Sequence, residues 1–102
     1  MIMENESGYI DDKLLQQAIH KWGASAQVEM IKEECLELAL AIQKYSRIRG
    51  DKTVKYNNII DEIADVKIMI TQAQKLFPKD LIDSRVDFKM DRLKERLDEG
   101  IC

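Results

Sequence analysis

Apolar residues in this chain recur at steps of three and four, the period of an α-helix, in four separate runs. The first run is Leu14, Leu15, Ala18, Ile19 and Trp22. It predicts a helix that starts after Asp11, a good N-cap, and stops at Trp22, where Gly23 supplies the C′ residue. The second run predicts a longer helix from Ala24 or Ser25 to Arg49, closed at Gly50, with the seam Val28, Ile31, Cys35, Leu38, Ile42 and Tyr45. Gly50-Asp51-Lys52 then breaks the chain. Thr53 is the N-cap expected for a third helix, which runs to Phe77 and ends at Pro78. Its seam is Ile59, Ile63, Val66, Ile70, Ala73 and Phe77. A fourth helix is expected over Lys79–Asp98 before Gly100, with Leu81, Ile82, Val86, Met90 (or Phe88), Leu93 and Leu97 on its apolar side. Residues 1–9 read as a loose lead-in, and strand signals are absent.

The fold class this implies is all-α, a four-helix, bundle-like domain occupying residues 1–102. The short break at Gly50 makes the two long helices antiparallel neighbours. Leu36, Leu40, Ile60 and Ile68 fall off the seams, so these helices are apolar on more than one face. In so short a chain the extra cover is expected from a second copy, giving a homodimer or homotetramer.

Charged residues make up 34% of the chain with both signs interleaved, and the net charge is −3, so no broad basic surface for nucleic acid or anionic membrane is expected. No stretch approaches a membrane-spanning length. The first eight residues lack the basic and apolar regions of a signal peptide. The two cysteines, Cys35 and Cys102, form no CxxC or Cys/His pattern, which disfavours zinc and a disulfide framework. A cytoplasmic protein with Cys35 in its core is the expectation.

Beside each long seam runs a second stripe. On the second helix it is Gln27, Met30, Glu34, Glu37 and Ala41; on the third it is Asn58, Glu62, Asp65, Met69 and Gln72. Glu34 and Glu37, and again Glu62 and Asp65, are spaced i,i+3, which puts both carboxylates of each pair on one helix face. One such pair also describes a solvated helix surface. Two pairs in the same phase, accompanied by amides rather than by Lys or Arg, point to a shared purpose. Packed antiparallel, the helices bring four carboxylates together at the edge of the core, and such charges repel unless a cation lies among them. The single histidine, His20, forms no Glu-x-x-His motif, which disfavours a di-iron redox bundle. An all-oxygen donor set suits Mg²⁺, with Mn²⁺ as the alternative, and Mg²⁺ commonly completes its shell with water and substrate phosphates.

The sequence Glu33-Glu34-Cys35-Leu36-Glu37, a spacer of 24 residues, and Glu62-Ile63-Ala64-Asp65 resemble the EExxE and ExxD motifs of the MazG-like all-α NTP pyrophosphatases. Trp22-Gly23, Gln27, Glu37-Leu38 and Glu62-Ile63-Ala64-Asp65-Val66 extend the resemblance, which covers roughly residues 20–97. It implies hydrolysis of a nucleoside triphosphate to the monophosphate and pyrophosphate. By position, Glu34, Glu37, Glu62 and Asp65 would hold Mg²⁺. Glu33 and Glu34 would serve catalysis, Glu33 as a base or a further ligand through water. Lys89 and Arg92 would stabilise the triphosphate, and Trp22, Gln27 and Asn58 would meet the nucleotide.

Two other readings accompany this one. The chain is short for the dimeric dUTPase-type members. Val66-Lys67-Ile68-Met69 lacks the histidine usual after the second motif in phosphoribosyl-ATP pyrophosphatases, which ranks that activity lower. From a different class, a helical interaction module would use the acidic stripe to bind a protein partner without metal or catalysis.

Overall fold

Cap chemistry sets the helix ends in the computed structural model, which describes residues 7–100. It contains α1 (Asp12–Trp22), α2 (Ala24–Arg47), α3 (Thr53–Leu76) and α4 (Lys79–Asp98), with no strand among the described residues. Residues 1–6 of the expected lead-in, and Cys102, lie outside the described residues. The Asp11 carboxylate accepts the Lys13 N–H at 2.9 Å and so caps α1. Gly23 then takes φ 89°, a left-handed value that suits glycine, and donates its N–H to the Ile19 carbonyl at 2.8 Å. A single residue therefore joins α1 to α2.

Two boundaries depart from expectation. Helix α2 ends at Arg47 rather than Arg49, because Ile48 turns extended (ψ 136°) and its N–H reaches back to the Tyr45 carbonyl at 3.2 Å. At the start of α3 the N-cap position is Lys52, not Thr53, and it makes no side-chain cap bond; the side chain that reaches the first helical residue is Asp51. Its Oδ1 accepts from the Thr53 N–H at 2.9 Å and from the Thr53 hydroxyl at 2.6 Å, and Thr53 is already helical.

Helices α2 and α3 form an antiparallel hairpin whose facing positions, Ala41 and Asn58 aside, pair like with like. Gln27 meets Gln72, Met30 lies with Met69, Glu34 with Asp65, Glu37 with Glu62, Ala41 with Asn58 and Lys44 with Lys55. In every pair the residue numbers add to 99. The ladder thus runs from amides at the open end, through carboxylates, to lysines near the turn.

The same register corrects the expected seam. The more buried positions are Ile31, Glu34, Leu38, Ala41 and Tyr45 on α2, and Ile59, Glu62, Val66, Met69 and Ala73 on α3. The contact line therefore takes half of each apolar seam and half of each acidic stripe. Val28, Ile42, Ile63, Ile70 and Phe77, expected inside, are exposed, Ile63 and Ile70 by 45% and 46%. Cys35 is exposed as well, not packed in the core. The phase is tied down by a buried bridge. The Gln72 side chain, 0% exposed, donates to Gln27 Oε1 at 2.9 Å and to the Leu15 carbonyl at 3.2 Å, linking α1, α2 and α3. The Gln72 amide nitrogen and the Gln27 oxygen are paired in this rotation of the helices, while Gln72 Oε1 stays buried without a partner.

Helix α1 seats Leu15, the buried apolar residue, and adds an ion pair from Asp12 to Lys75 at 2.9 Å. Helix α4 packs against α3 but buries no residue fully, and Leu81, Val86, Phe88, Met90 and Leu97 remain largely open. A single copy is therefore an open helical arrangement. Its accessible surface is 8508 Å². Scaling from a mass of 11.9 kDa leads to about 6,000 Å² for a folded monomer. The radius of gyration, 17.1 Å, likewise exceeds the roughly 13 Å of a compact chain this long. No described helix is long and apolar enough to cross a membrane.

Candidate metal centre

Because Glu34 lies on the contact line of α2, and Glu62 on that of α3, their carboxylates point into the hairpin rather than to its edge. Carboxylate oxygens of Glu34, Glu62 and Asp65 all lie within 4.8 Å of one another. Glu34 and Glu62 are half-buried, whereas Asp65 is exposed. Each of the two half-buried residues keeps one oxygen, Oε2, shut off from solvent with no hydrogen-bond partner. A buried carboxylate oxygen lacking both water and a donor is expensive, and ordinary packing leaves few of them.

Electrostatics reports the same strain. Burial pushes the Glu34 carboxyl above its ordinary value, and the negative charges of Glu37, Asp65 and Glu62 push it further. Burial also raises Glu62, with Glu37, Asp65 and Asp61 adding to the effect. No lysine or arginine pairs with Glu34, Glu37, Glu62 or Asp65 among the described residues; the ion pairs there are Lys32–Glu29, Lys75–Asp12 and Lys79–Asp83. The site thus concentrates negative charge and leaves it uncompensated.

Two cavities flank the carboxylates. Toward the α2–α3 turn, a polar cavity of about 240 Å³ is lined by Glu37, Leu40, Ala41, Lys44, Lys55, Asn58 and Glu62. Toward the open end, a larger, mainly apolar cavity of about 670 Å³ is lined by Trp22, Ala26, Gln27, Glu29, Met30, Glu33 and Met69.

The residues singled out from sequence fall into three groups. Glu34, Glu62 and Asp65 converge, and Glu37 stands beside them, close enough for its charge to act on both Glu34 and Glu62. Asn58 joins the polar cavity; Trp22, Gln27 and Glu33 line the apolar one. Glu33 is exposed and outside the convergent set. Gln27 is buried and its carbonyl oxygen is engaged by Gln72. Lys89 and Arg92 lie on the exposed α4 and line neither cavity of this copy, with the Arg92 guanidinium 5.9 Å from the Phe88 ring.

Lys44 and Lys55 are the residues that sequence reasoning missed. A signal existed: Lys44 follows Glu37 by seven residues and Lys55 precedes Glu62 by seven, two helical turns in each case. Comparison with protein-family models, with curated proteins and with solved structures finds no match.

Proposed function

We propose that this chain is a Mg²⁺-dependent nucleoside triphosphate pyrophosphohydrolase, releasing a monophosphate and pyrophosphate. The single observation that carries the reading is the pair of orphaned, buried oxygens of Glu34 and Glu62, held with Asp65 inside 4.8 Å. An all-oxygen donor set of this kind fits Mg²⁺ or Mn²⁺. Glu34, Glu62 and Asp65 would hold the ion, and Glu37 would join them directly or through water. When bound, the ion neutralises phosphate charge and makes water a better nucleophile.

The chain's own groups supply the rest. Water adds its oxygen to a phosphorus of the α–β bridge, the bridging P–O bond breaks, and pyrophosphate leaves. A carboxylate must accept the proton that the water gives up, and Glu33 or Glu34 is the candidate base. The apolar cavity beside Trp22, Met30 and Met69 suits the base of the nucleotide, which it would shield from water. Phosphoryl chemistry of this type depends on positioning and charge neutralisation more than on a covalent intermediate.

Self-association belongs to the same proposal. The chain exposes about 2,500 Å² more than the roughly 6,000 Å² expected of a monomer its size. That excess is of the order an obligate homodimer buries. Ile42, Ile63 and Ile70 on the outward half of the seams supply one apolar face for a second copy, and the exposed Leu36 and Leu40 lie on another side of α2. The working form is then a homodimer or a homotetramer.

The test is product analysis. A panel of NTPs and dNTPs is incubated with Mg²⁺ or with chelator, and pyrophosphate and monophosphate are quantified for the wild type and Glu62→Gln. Metal-dependent release of both products, lost in the variant, supports the reading. A folded protein that neither binds Mn²⁺ nor releases pyrophosphate from any nucleotide sinks it and leaves the interaction-module alternative.

A further inference from the structure

The ladder of facing pairs has a direction. Amides and thioethers lie at one end, carboxylates in the middle, and two lysines at the other. Lys44 and Lys55 line one cavity with Glu37 and Glu62, yet neither lysine is ion-paired among the described residues. Lys55 is half-buried, so a partner for its charge has particular value. Two lysines lining one cavity bring like charges together, as the carboxylates do two turns away, about 10 Å along the axis. Long side chains on a helix lean toward its N-terminus, and for Lys44 that is the direction of Glu37.

We infer that Lys44, Lys55 and Asn58 form a polyphosphate subsite at the turn end of the α2–α3 hairpin. A triphosphate then lies with its terminal phosphates toward the turn and its nucleoside toward Trp22. The inference rests on the proposed function for the identity of the ligand; its cavity borders the carboxylate centre through Glu37 and Glu62, while Lys44, Lys55 and Asn58 lie outside the convergent carboxylate set. The cavity dimensions agree with it. About 240 Å³ is below the 300–1,000 Å³ typical of pockets for whole drug-sized ligands, and suits an inorganic anion chain. The residue types agree as well. Two lysine ammoniums and the Asn58 amide offer donors, and charge-assisted hydrogen bonds from such groups to phosphate oxygens are the strong ones. A metal ion held by the carboxylates and an anion held by the lysines would each remove the repulsion within its own set.

The experiment uses the full chain and inorganic pyrophosphate as the probe, titrated calorimetrically with Mg²⁺ present. Mn²⁺ binding is measured separately by electron paramagnetic resonance. Lys44→Met and Lys55→Met keep the apolar stems and remove the charge. Each is expected to weaken pyrophosphate binding roughly tenfold, in line with the loss of a charged hydrogen bond, and the pair by more. Mn²⁺ affinity is retained or rises. Lys13→Met on α1 controls for net charge and leaves pyrophosphate binding unchanged. Lys44→Arg and Lys55→Arg keep the charge, and recovery of binding in them confirms that the cation is what matters should either Met variant fold poorly.

Pyrophosphate affinity within twofold of wild type in the folded double Met variant overturns the inference while leaving the metal centre untouched. Unaltered binding of pyrophosphate to Lys44→Arg/Lys55→Arg accompanied by equal binding to the Met variants does the same. If the wild type binds no Mn²⁺ yet takes pyrophosphate in a manner that needs both lysines, the anion subsite stands and the hydrolase reading falls. If it binds neither, both fall.

Discussion

Glu34 on α2 and Glu62 on α3 bring carboxylate oxygens within 4.8 Å across the hairpin, and each keeps one buried oxygen without a hydrogen bond. A fold spends stability to hold two like charges this way. That cost is the property most accessible to experiment.

Removing the repulsion should stabilise the protein when metal is absent. Glu34→Gln and Glu62→Gln each keep the side-chain shape, lose a charge, and gain an amide donor. Thermal melts in chelator are expected to show a higher Tm for each variant than for the wild type. With Mg²⁺ in excess the order reverses, because the wild type alone gains the stabilisation that comes from binding a ligand to the folded state. A Tm below wild type for both variants in chelator would show that the two carboxylates are not in conflict.

The pH dependence follows from the same two groups. Burial first, then neighbouring carboxylates, raise Glu34 and Glu62 above their ordinary value of 4.5. A carboxyl whose pKa is higher in the folded chain than in the unfolded one contributes stability that is fully present below the unfolded value. That contribution is lost as pH rises through the folded value. From these two groups, the metal-free protein is therefore expected to lose stability as pH climbs above about 4.5. Metal affinity should move the opposite way, weakening toward acid as protons compete for the ligands. Denaturant titrations across the pH range, with and without Mg²⁺, would check both slopes.

Gln72 offers a test of the fold independent of the site. It is 0% exposed and its amide is shared between Gln27 Oε1 and the Leu15 carbonyl. Gln72→Leu fills the space but leaves the Gln27 oxygen without its donor. A net loss at the low end of about 1–3 kcal/mol is expected, because stranding the Gln27 oxygen is partly offset by removing Gln72 Oε1, which has no partner of its own. Urea unfolding gives the number, and a neutral result would mean that the bridge does not hold α1, α2 and α3 in phase.

The turn between the long helices depends on one side chain. Asp51 accepts from both the N–H and the hydroxyl of Thr53, and these bonds hold its carboxyl below its ordinary value. Asp51→Ala should lower stability, because the Thr53 N–H and hydroxyl lose their acceptor. Because Lys44 and Lys55 flank this turn, the substitution should also weaken pyrophosphate binding, a comparison that calorimetry and chemical denaturation make together.

The outward half of the seams bears on assembly. Ile63 and Ile70 are about half exposed although they sit at core spacing. Ile70→Glu adds a charge to this face without touching the carboxylates. Sedimentation velocity is expected to show the wild type as an oligomer and Ile70→Glu as a smaller species. An unchanged sedimentation coefficient would move the interface elsewhere.

Local chemistry was legible from the residues alone. The 3–4 period placed all four helices, because a helix face repeats whatever it packs against. Asp11, Gly23 and Pro78 marked ends that the structure reproduces, since caps and breakers act within a few residues of themselves. The i,i+3 spacing placed Glu34 with Glu37, and Glu62 with Asp65, for the same local reason. Thr53 fell inside α3, with Lys52 at the N-cap position and Asp51 accepting the Thr53 N–H, because several polar residues crowd this turn and only geometry chooses between them.

What lay beyond the sequence was the phase of one helix against the other. Each long helix carries an apolar stripe beside an acidic one, and periodicity alone does not say which line meets the partner. The choice is made by contacts distant in sequence, such as Gln72 reaching Leu15 across 57 positions. That rotation drew Glu34 and Glu62 into the hairpin, turned Cys35 and Ile70 outward, and gathered Lys44 and Lys55 into the cavity with Glu37 and Glu62. The sequence by itself determined which residues share a helix face, because that is settled within two turns of backbone. Only the tertiary structure decided which faces meet, because that depends on desolvation and hydrogen bonding between segments the chain does not connect locally.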